Sequence, residues 1–318
     1  MTANPWLTST AHSELVSVGT HRLHLQASGP ARNPGHIVTI IIQGLSATIS
    51  SWAAVTRLLS PHIRTFTYSR SGFHPSEPSP LPPTAENIAL ELDLLLQSAG
   101  IDPPYVLVAH SWGGILAREF IARKKEGDLA GVVFVEANQE RTLDALDWRP
   151  FFLWCVVGKV EFLKVSDLEK RRKLDDEEWE RHLRDMRDEG NRIQGEKEWN
   201  EYEKSFESLT EKKGSSVDML RHIPVSVVKG ENGRGLRMLY DALIERGHGT
   251  EEDREKFKGF LETFDEKDVE LQSEIGKLSS KGRYVEARKS GHDVQLTEPE
   301  VIVEEVKWVV AQFVEGID

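Results

Sequence analysis

The sequence predicts an α/β protein: a mostly parallel central sheet flanked by helices, with a helical cap inserted into it. Three observations carry this. Short β-branched runs alternate with helix-period segments between residues 36 and 137. The connections between them are brief, as expected where helices cross between parallel strands. The alternation stops near Asn138, and strand character returns only at residue 223, after a charge-dense helical stretch.

Composition sets the bounds. With 318 residues, 39% of them hydrophobic, the chain can bury a sizeable core and still carry an insertion. A formal net charge of −12 and the lack of a long basic patch argue against a nucleic-acid partner. The lone cysteine, Cys155, cannot form an internal disulfide and sits among apolar residues, so it reads as a buried residue and not a nucleophile. The opening "MTANPWLTSTAHSEL" lacks the basic and then apolar regions of a secretory signal. The longest apolar run, "FFLWCVVGKV" (151–160), is about half a membrane span. The expectation is a cytoplasmic protein without stable membrane insertion, although that run could touch a membrane surface. No pattern in the sequence specifies an oligomer.

The elements follow in order. "ELVSVGTHRLHLQA" (14–27) alternates apolar and polar residues around Gly-Thr and reads as a hairpin. "HIVTIII" (36–42) is a strand buried on both faces. "SWAAVTRLLS" (51–60) has helical spacing, and "HIRTFTY" (62–68) is a strand. The Pro-rich segment 69–83 is loop, and 84–100 is a helix capped by Thr84 and closed by Gly100. A strand at 105–109, a helix at 112–125 and a strand at 131–137 complete the first half. The strand at 223–230, a charged helical stretch at 235–278, a strand at 282–288 and an amphipathic helix at 299–316 form the second. Residues 1–140 and 221–318 are thus expected to form the core, and 141–220 the cap. The cap carries Trp148, Trp154, Trp179 and Trp199 among many opposed charges, which suggests a wet outer face and an aromatic inner one.

"YVLVAHSWGGILAREF" (105–120) runs from strand to helix with almost no loop. Ser111 stands at that turn, with Ala109 two residues before it, Gly113 two after it and Gly114 next. Such a turn strains its central residue and needs small neighbours, so that helix and strand can approach. It lifts a hydroxyl to the carboxyl end of the sheet and aims a helix N-terminus at the same place. A serine hydroxyl needs a base. His292, in "SGHDVQLTEP" between the last strand and the last helix, opens at that same end. His110 adjoins the serine but is expected to point away from it.

Together, "PYVLVAHSWGGILAREF", "YSRSGF" and "SGHDVQLTEPE" resemble the α/β-hydrolase fold family, over residues of about 14–140 and 222–316. The resemblance implies a Ser–acid–His order and a lid inserted after the sixth strand. The usual acid position, after the seventh strand in "GENG" (230–233), holds Gly233, a departure from the family pattern. Glu231 is nearby but out of phase. Glu136, directly after the sixth strand in "VVFVEAN", is the preferred acid, and Glu231 is the alternative. The oxyanion hole implied by the resemblance uses the backbone N–H of Trp112 and of Leu45 in "QGL", with Gly44 permitting close approach.

A triad of this kind does acyl transfer. Members that cleave epoxides or halides carry Asp at the elbow, where this chain has Ser111. No metal-ligand spacing and no nucleotide motif is evident, so no metal and no cofactor is expected. The bulky segment 146–163 suggests a pocket roofed by Trp148, Phe151, Phe152 and Trp154. The expected partner is a small apolar carbonyl substrate: an ester, lactone or thioester of a sizeable apolar metabolite. Three alternatives stay open: an acyltransferase or cyclase using the same acyl-enzyme, a receptor-like ligand-binding member of the fold, and an aminopeptidase.

Overall fold

The computed structural model describes residues 3–316, with backbone only at 213–216. The first and last two residues of the expected core therefore lie outside it. An antiparallel hairpin, β1 (Ala11–Ser17) and β2 (Arg22–Ser28), forms one edge of the sheet. It joins antiparallel to β4 (Thr65–Tyr68). The strands β3 (Val38–Ile42), β4, β5 (Tyr105–His110), β6 (Leu129–Val135), β7 (Val225–Gly230) and β8 (Gly282–Ala287) run parallel to one another. The spatial order is β1-β2-β4-β3-β5-β6-β7-β8. The longer helices are α1 (Ala53–Leu59), α2 (Ala85–Ser98), α3 (Gly113–Ile121), α4 (Arg149–Val157), α5 (Asp176–Arg187), α6 (Glu189–Glu211), α7 (Lys213–Leu220), α8 (Asn232–Glu245), α9 (Glu251–Gly276) and α10 (Pro299–Glu315).

The β-branched runs form this sheet because both of its faces are covered. Along β5, Val106 and Val108 join Ile41, Val133 and Val135 against Val306 and Val309 of α10. Leu107 and Ala109 point the other way, with Ile40, Ile42 and Phe134, against Leu92 of α2 and Leu116 and Phe120 of α3. The alternation of side chains along a strand thus fills two cores at once. Full burial of each such side chain stabilises the fold by roughly 1.5–3 kcal/mol.

Element ends shift by up to three residues in several places, and two differences from the expectation are larger. The helix after Ser111 ends at Ile121 and not near 125, because the chain turns through Lys124 to Gly127, whose φ is +89°. The charged stretch 235–278 is two helices, separated at Gly247 and Gly249, which have φ of +70° and +78°.

The helices α4 to α7 lie between β6 and β7 in the chain. On α4, Phe151, Trp154 and Cys155 are buried against Leu239 and Leu243 of α8 and Phe257 and Leu261 of α9. The opposite stripe, Phe152, Leu153, Val156 and Val157, is exposed. Phe151 and Trp154 therefore anchor α4 to the core and do not roof a pocket, which corrects the expectation from sequence. Among the described residues, no helix is long and apolar enough to cross a membrane.

The order in which strands are added to the sheet reverses beside β3, whose neighbours are β4 on one side and β5 on the other. In open α/β sheets the crevice for a ligand lies outside the carboxyl ends of the strands at such a point. The segments after β3 and β5, with Gly44 and Ser111, meet there. The small residue at 113 is what lets them meet: a Cβ on Gly113 would stand 2.4 Å from the Ile42 carbonyl oxygen of β3. Gly113→Ala is expected to destabilise the fold by about 1–3 kcal/mol, as overpacking against backbone does. Urea unfolding measures this, and an unchanged midpoint would contradict the packing argument.

Candidate active site

Ser111 has a φ of +54°, the left-handed region that non-glycine residues avoid. Its backbone is held there on three sides. The Ser111 N–H donates to the Val135 carbonyl of β6 at 3.1 Å, and its carbonyl accepts from Gly114 N at 2.9 Å and Asn138 N at 2.8 Å. Strain of this kind costs roughly 1–3 kcal/mol and persists where the surroundings over-determine it. Gly44 packs directly against the turn: a Cβ there would come within 3.0 Å of the Ser111 Cβ and 3.1 Å of His110 Nδ1. Among the described residues, no acceptor engages the backbone N–H of Leu45 or Trp112. Both candidate oxyanion donors are thus free for a ligand oxygen.

Glu136 follows β6 with a φ of +45°. Its N–H is tied to the Val228 carbonyl of β7 at 2.9 Å, and its Oε1 accepts from Gly230 N at 2.6 Å. The other carboxylate oxygen, Oε2, lies 3.5 Å from His292 Nδ1. Assigning the proton to Nδ1, which faces the carboxylate, leaves His292 Nε2 free as a base. Glu231, by contrast, is exposed and pairs with Arg234 at 3.3 Å. A side chain at 233, the usual acid position, would collide with Asp265 of α9: a Cβ there would fall 2.1 Å from Asp265 Oδ1. The structure therefore brings Glu136, and not Glu231, to His292.

The β8–α10 loop presents His292 and is knitted from within. Glu298 Oε2 accepts from Lys289 N and Ser290 Oγ, both at 2.8 Å, and Thr297 Oγ1 donates to the Asp293 carbonyl at 3.0 Å. His292 is only partly buried, with 36% of its side chain accessible. Burial pulls its pKa down, but the hydrogen bond and charge of Glu136, aided by Asp293 and Asp268, outweigh this and leave it above the ordinary histidine value.

Sequence reading missed three contributions. The first is His110. Strand alternation turns its ring to the α1–α10 face beside Trp52, where the β8–α10 loop closes, so it does not point away from the site. Burial, reinforced by repulsion from His292, lowers its pKa to about 4, so its ring is neutral near pH 7. Its Nε2 donates to the His292 carbonyl at 2.9 Å, and the two rings lie 4.7 Å apart. The second is α9, whose inner face braces the loop after Glu136. Asp268 pairs with Lys229 at 2.9 Å, and Gln272 Nε2 donates to the Ala137 carbonyl at 3.0 Å. Burial, then the charge of Glu136, pushes Asp268 up to about 7. The third is the buried pair Arg70–Glu198, which joins the loop after β4 to α6.

Ser111 and His292 open on one cavity of about 520 Å³. Its walls include Phe152, Phe162, Leu163, Leu168, Met186, Trp199 and Leu296, with His182, Asp185 and Arg192 among the polar residues. Of the four residues expected to roof a pocket, Phe152 is in the lining, while Trp148, Phe151 and Trp154 are not. Trp148 instead stands behind the wall, edge-on to Phe152 and Trp199 at 5.6 Å, with its Nε1 donating to Tyr202 Oη at 3.2 Å. Cys155 is buried away from the cavity, and burial pushes its thiol up to about 11. Among the described residues, no group of three His, Cys, Asp or Glu side chains could hold a metal ion.

Residues 40–305 match the model of the alpha/beta hydrolase family, and the chain belongs to that family. An AB hydrolase superfamily protein of Gibberella zeae is 34% identical over 96% of this chain and 98% of its own length. A probable transporter of Hormonema carpetanum, efuK, is 33% identical over 98% of this chain, which spans 44% of that protein. Among solved structures, a serine hydrolase of carbazole degradation, CarC, superposes with a TM-score of 0.63 at 14% identity, covering 95% of this chain and 99% of that one. A haloalkane dehalogenase loop variant of Bradyrhizobium elkanii gives 0.67 at 16% identity, covering 97% and 99%. At such identities the likeness is one of fold alone, and the fold serves more than one reaction.

Glu136→Gln is expected to lower kcat at least several hundred-fold on an ester that the parent turns over, while Glu231→Gln stays near the parent. The base must be neutral, so the parent's rate should fall with acid through a pKa above 6.5, the ordinary histidine value. In Glu136→Gln that limb should move to lower pH, because the charge that favours imidazolium is gone. A pH profile of kcat/KM for the two variants checks this; loss confined to Glu231→Gln would reverse the assignment.

Proposed function

We propose that the protein is a serine hydrolase that cleaves an ester, lactone or thioester of a sizeable apolar metabolite through an acyl-enzyme. The observation that carries this reading is the convergence of three groups. Ser111 and His292 open on one cavity, and Glu136 meets the His292 Nδ1 from behind.

In this reading His292 Nε2 takes the Ser111 proton as Oγ attacks the substrate carbonyl. Glu136 holds the tautomer and stabilises the imidazolium that forms. The tetrahedral oxyanion is received by the N–H groups of Leu45 and Trp112, each typically worth about 3 kcal/mol of barrier. His292 then returns the proton to the leaving group, and water releases the acid by the same route. The apolar walls, from Phe152 and Phe162 to Trp199 and Leu296, support an apolar acyl or lactone portion. A serine in place of a carboxylate at the elbow supports acyl chemistry over alkyl transfer.

A fluorophosphonate probe followed by peptide mapping tests the nucleophile: label on the peptide carrying Ser111 is expected. Ser111→Ala should lose the label and at least a thousandfold of p-nitrophenyl ester turnover while melting like the parent. Full activity in Ser111→Ala, or label on another serine, would sink the assignment.

A further inference from the structure

The cap and the oxyanion loop share one buried ion pair. Arg70, in the loop after β4, meets Glu198, in the middle of α6, with Nε to Oε1 at 2.6 Å and Nη2 to Oε2 at 2.9 Å. Their side chains are 2% and 0% exposed. The guanidinium also donates to the Gly44 carbonyl at 2.8 Å and to the Gln43 carbonyl at 3.1 Å. The carboxylate accepts from Ser46 N at 2.9 Å. The pair therefore grips the short run from Gln43 to Ser46 on both sides of Leu45.

The geometry has a direct effect on one N–H. The Gly44 carbonyl and the Leu45 N–H belong to the same peptide plane and point in opposite directions across it. Drawing the carbonyl toward Arg70 turns the Leu45 N–H away from Arg70. The next residue, Ser46, has a φ of +56°, which its N–H bond to Glu198 helps to hold. Gly195 of α6 adds to the grip, since a Cβ there would stand 2.7 Å from Ser46 Oγ. Arg70 also lies over the ring of Trp112, 5.9 Å from its centre, and Trp112 is the other candidate donor residue.

We propose that Glu198, a residue of the cap, is a positioning residue for the oxyanion hole, acting through Arg70 and Ser46 to orient the Leu45 N–H. The proposal rests on the serine-hydrolase reading above. It makes the cap part of the machinery that stabilises the transition state, in addition to its place as a wall of the cavity.

The test uses the full chain in four forms: parent, Glu198→Gln, Glu198→Asp and the double variant Arg70→Met/Glu198→Leu. The double variant replaces both charges with apolar groups of similar size, so it keeps the packing without leaving a lone buried charge. Melting curves identify the folded variants. Kinetics on a p-nitrophenyl ester, and inhibition by a trifluoromethyl ketone whose adduct carries an oxyanion, provide the readouts. The double variant should lose about 100-fold in kcat with KM within about twofold, and trifluoromethyl ketone affinity should fall in step. Glu198→Gln should lose less, and Glu198→Asp should recover part of the loss. A folded double variant with parental kcat, or one in which only KM rises, would overturn the proposal. A parent that does not label at Ser111 with fluorophosphonate would overturn the hydrolase reading and this proposal with it; a labelled parent with an indifferent double variant overturns this proposal alone.

Discussion

The site depends on how closely α3 can approach β3. Gly113 lies against the Ile42 carbonyl, and Gly44 lies against Ser111 and His110. Only with both side chains missing can the turn after β5 sit beside the loop after β3. That contact brings the Gly44 loop against Ser111. The left-handed backbone of Ser111 is held separately, by the hydrogen bonds to Val135, Gly114 and Asn138. Strand register places the rest. The parallel pairing of β5, β6 and β7 puts Ser111, Glu136 and Gly230 at neighbouring carboxyl ends.

Two carboxylates of the region have very different surroundings. Glu136 has Gly230 N on one oxygen and His292 on the other, so its charge is used on both sides. Asp268 lies behind it, and Lys229, with a smaller contribution from His292, offsets only part of the burial and the repulsion from Glu136 that raise its pKa. His110 completes the support from below, as a neutral donor to the His292 carbonyl.

Much of this was legible in the sequence, because it is local. Alternating β-branched residues, the small residues around Ser111 and the loop after the last strand each carry a pattern within a few positions. The elements they predict are present, including the hairpin and the Thr84 cap, which accepts from Asn87 N at 3.2 Å. What was not legible joins distant segments. Arg70 and Glu198 are 128 positions apart, and Glu198 reads as one more charge in a helix full of them. The brace from α9 lies in a stretch whose composition speaks only of solvent. The misplacement of Phe151 and Trp154 is different, since a signal was there. Residues 151, 154 and 155 share one side of a helix, and 152, 153, 156 and 157 share the other. A segment apolar on both sides does not say which one faces the protein. The α8–α9 pair, out of view in the sequence, decides it.

The Arg70–Glu198 pair limits how this scaffold can be remodelled. Most of the apolar lining comes from the inserted helices, while Ser111, Glu136 and His292 stand at or just beyond strand ends, which would invite wholesale exchange of one lining for another. Yet the guanidinium is rooted in the loop after β4, on the sheet side, and has its counter-ion on α6, on the inserted side. Any transplanted cover would have to deliver an anion to that same spot, or the recipient would be left with a stranded cation beneath the floor of its own cavity.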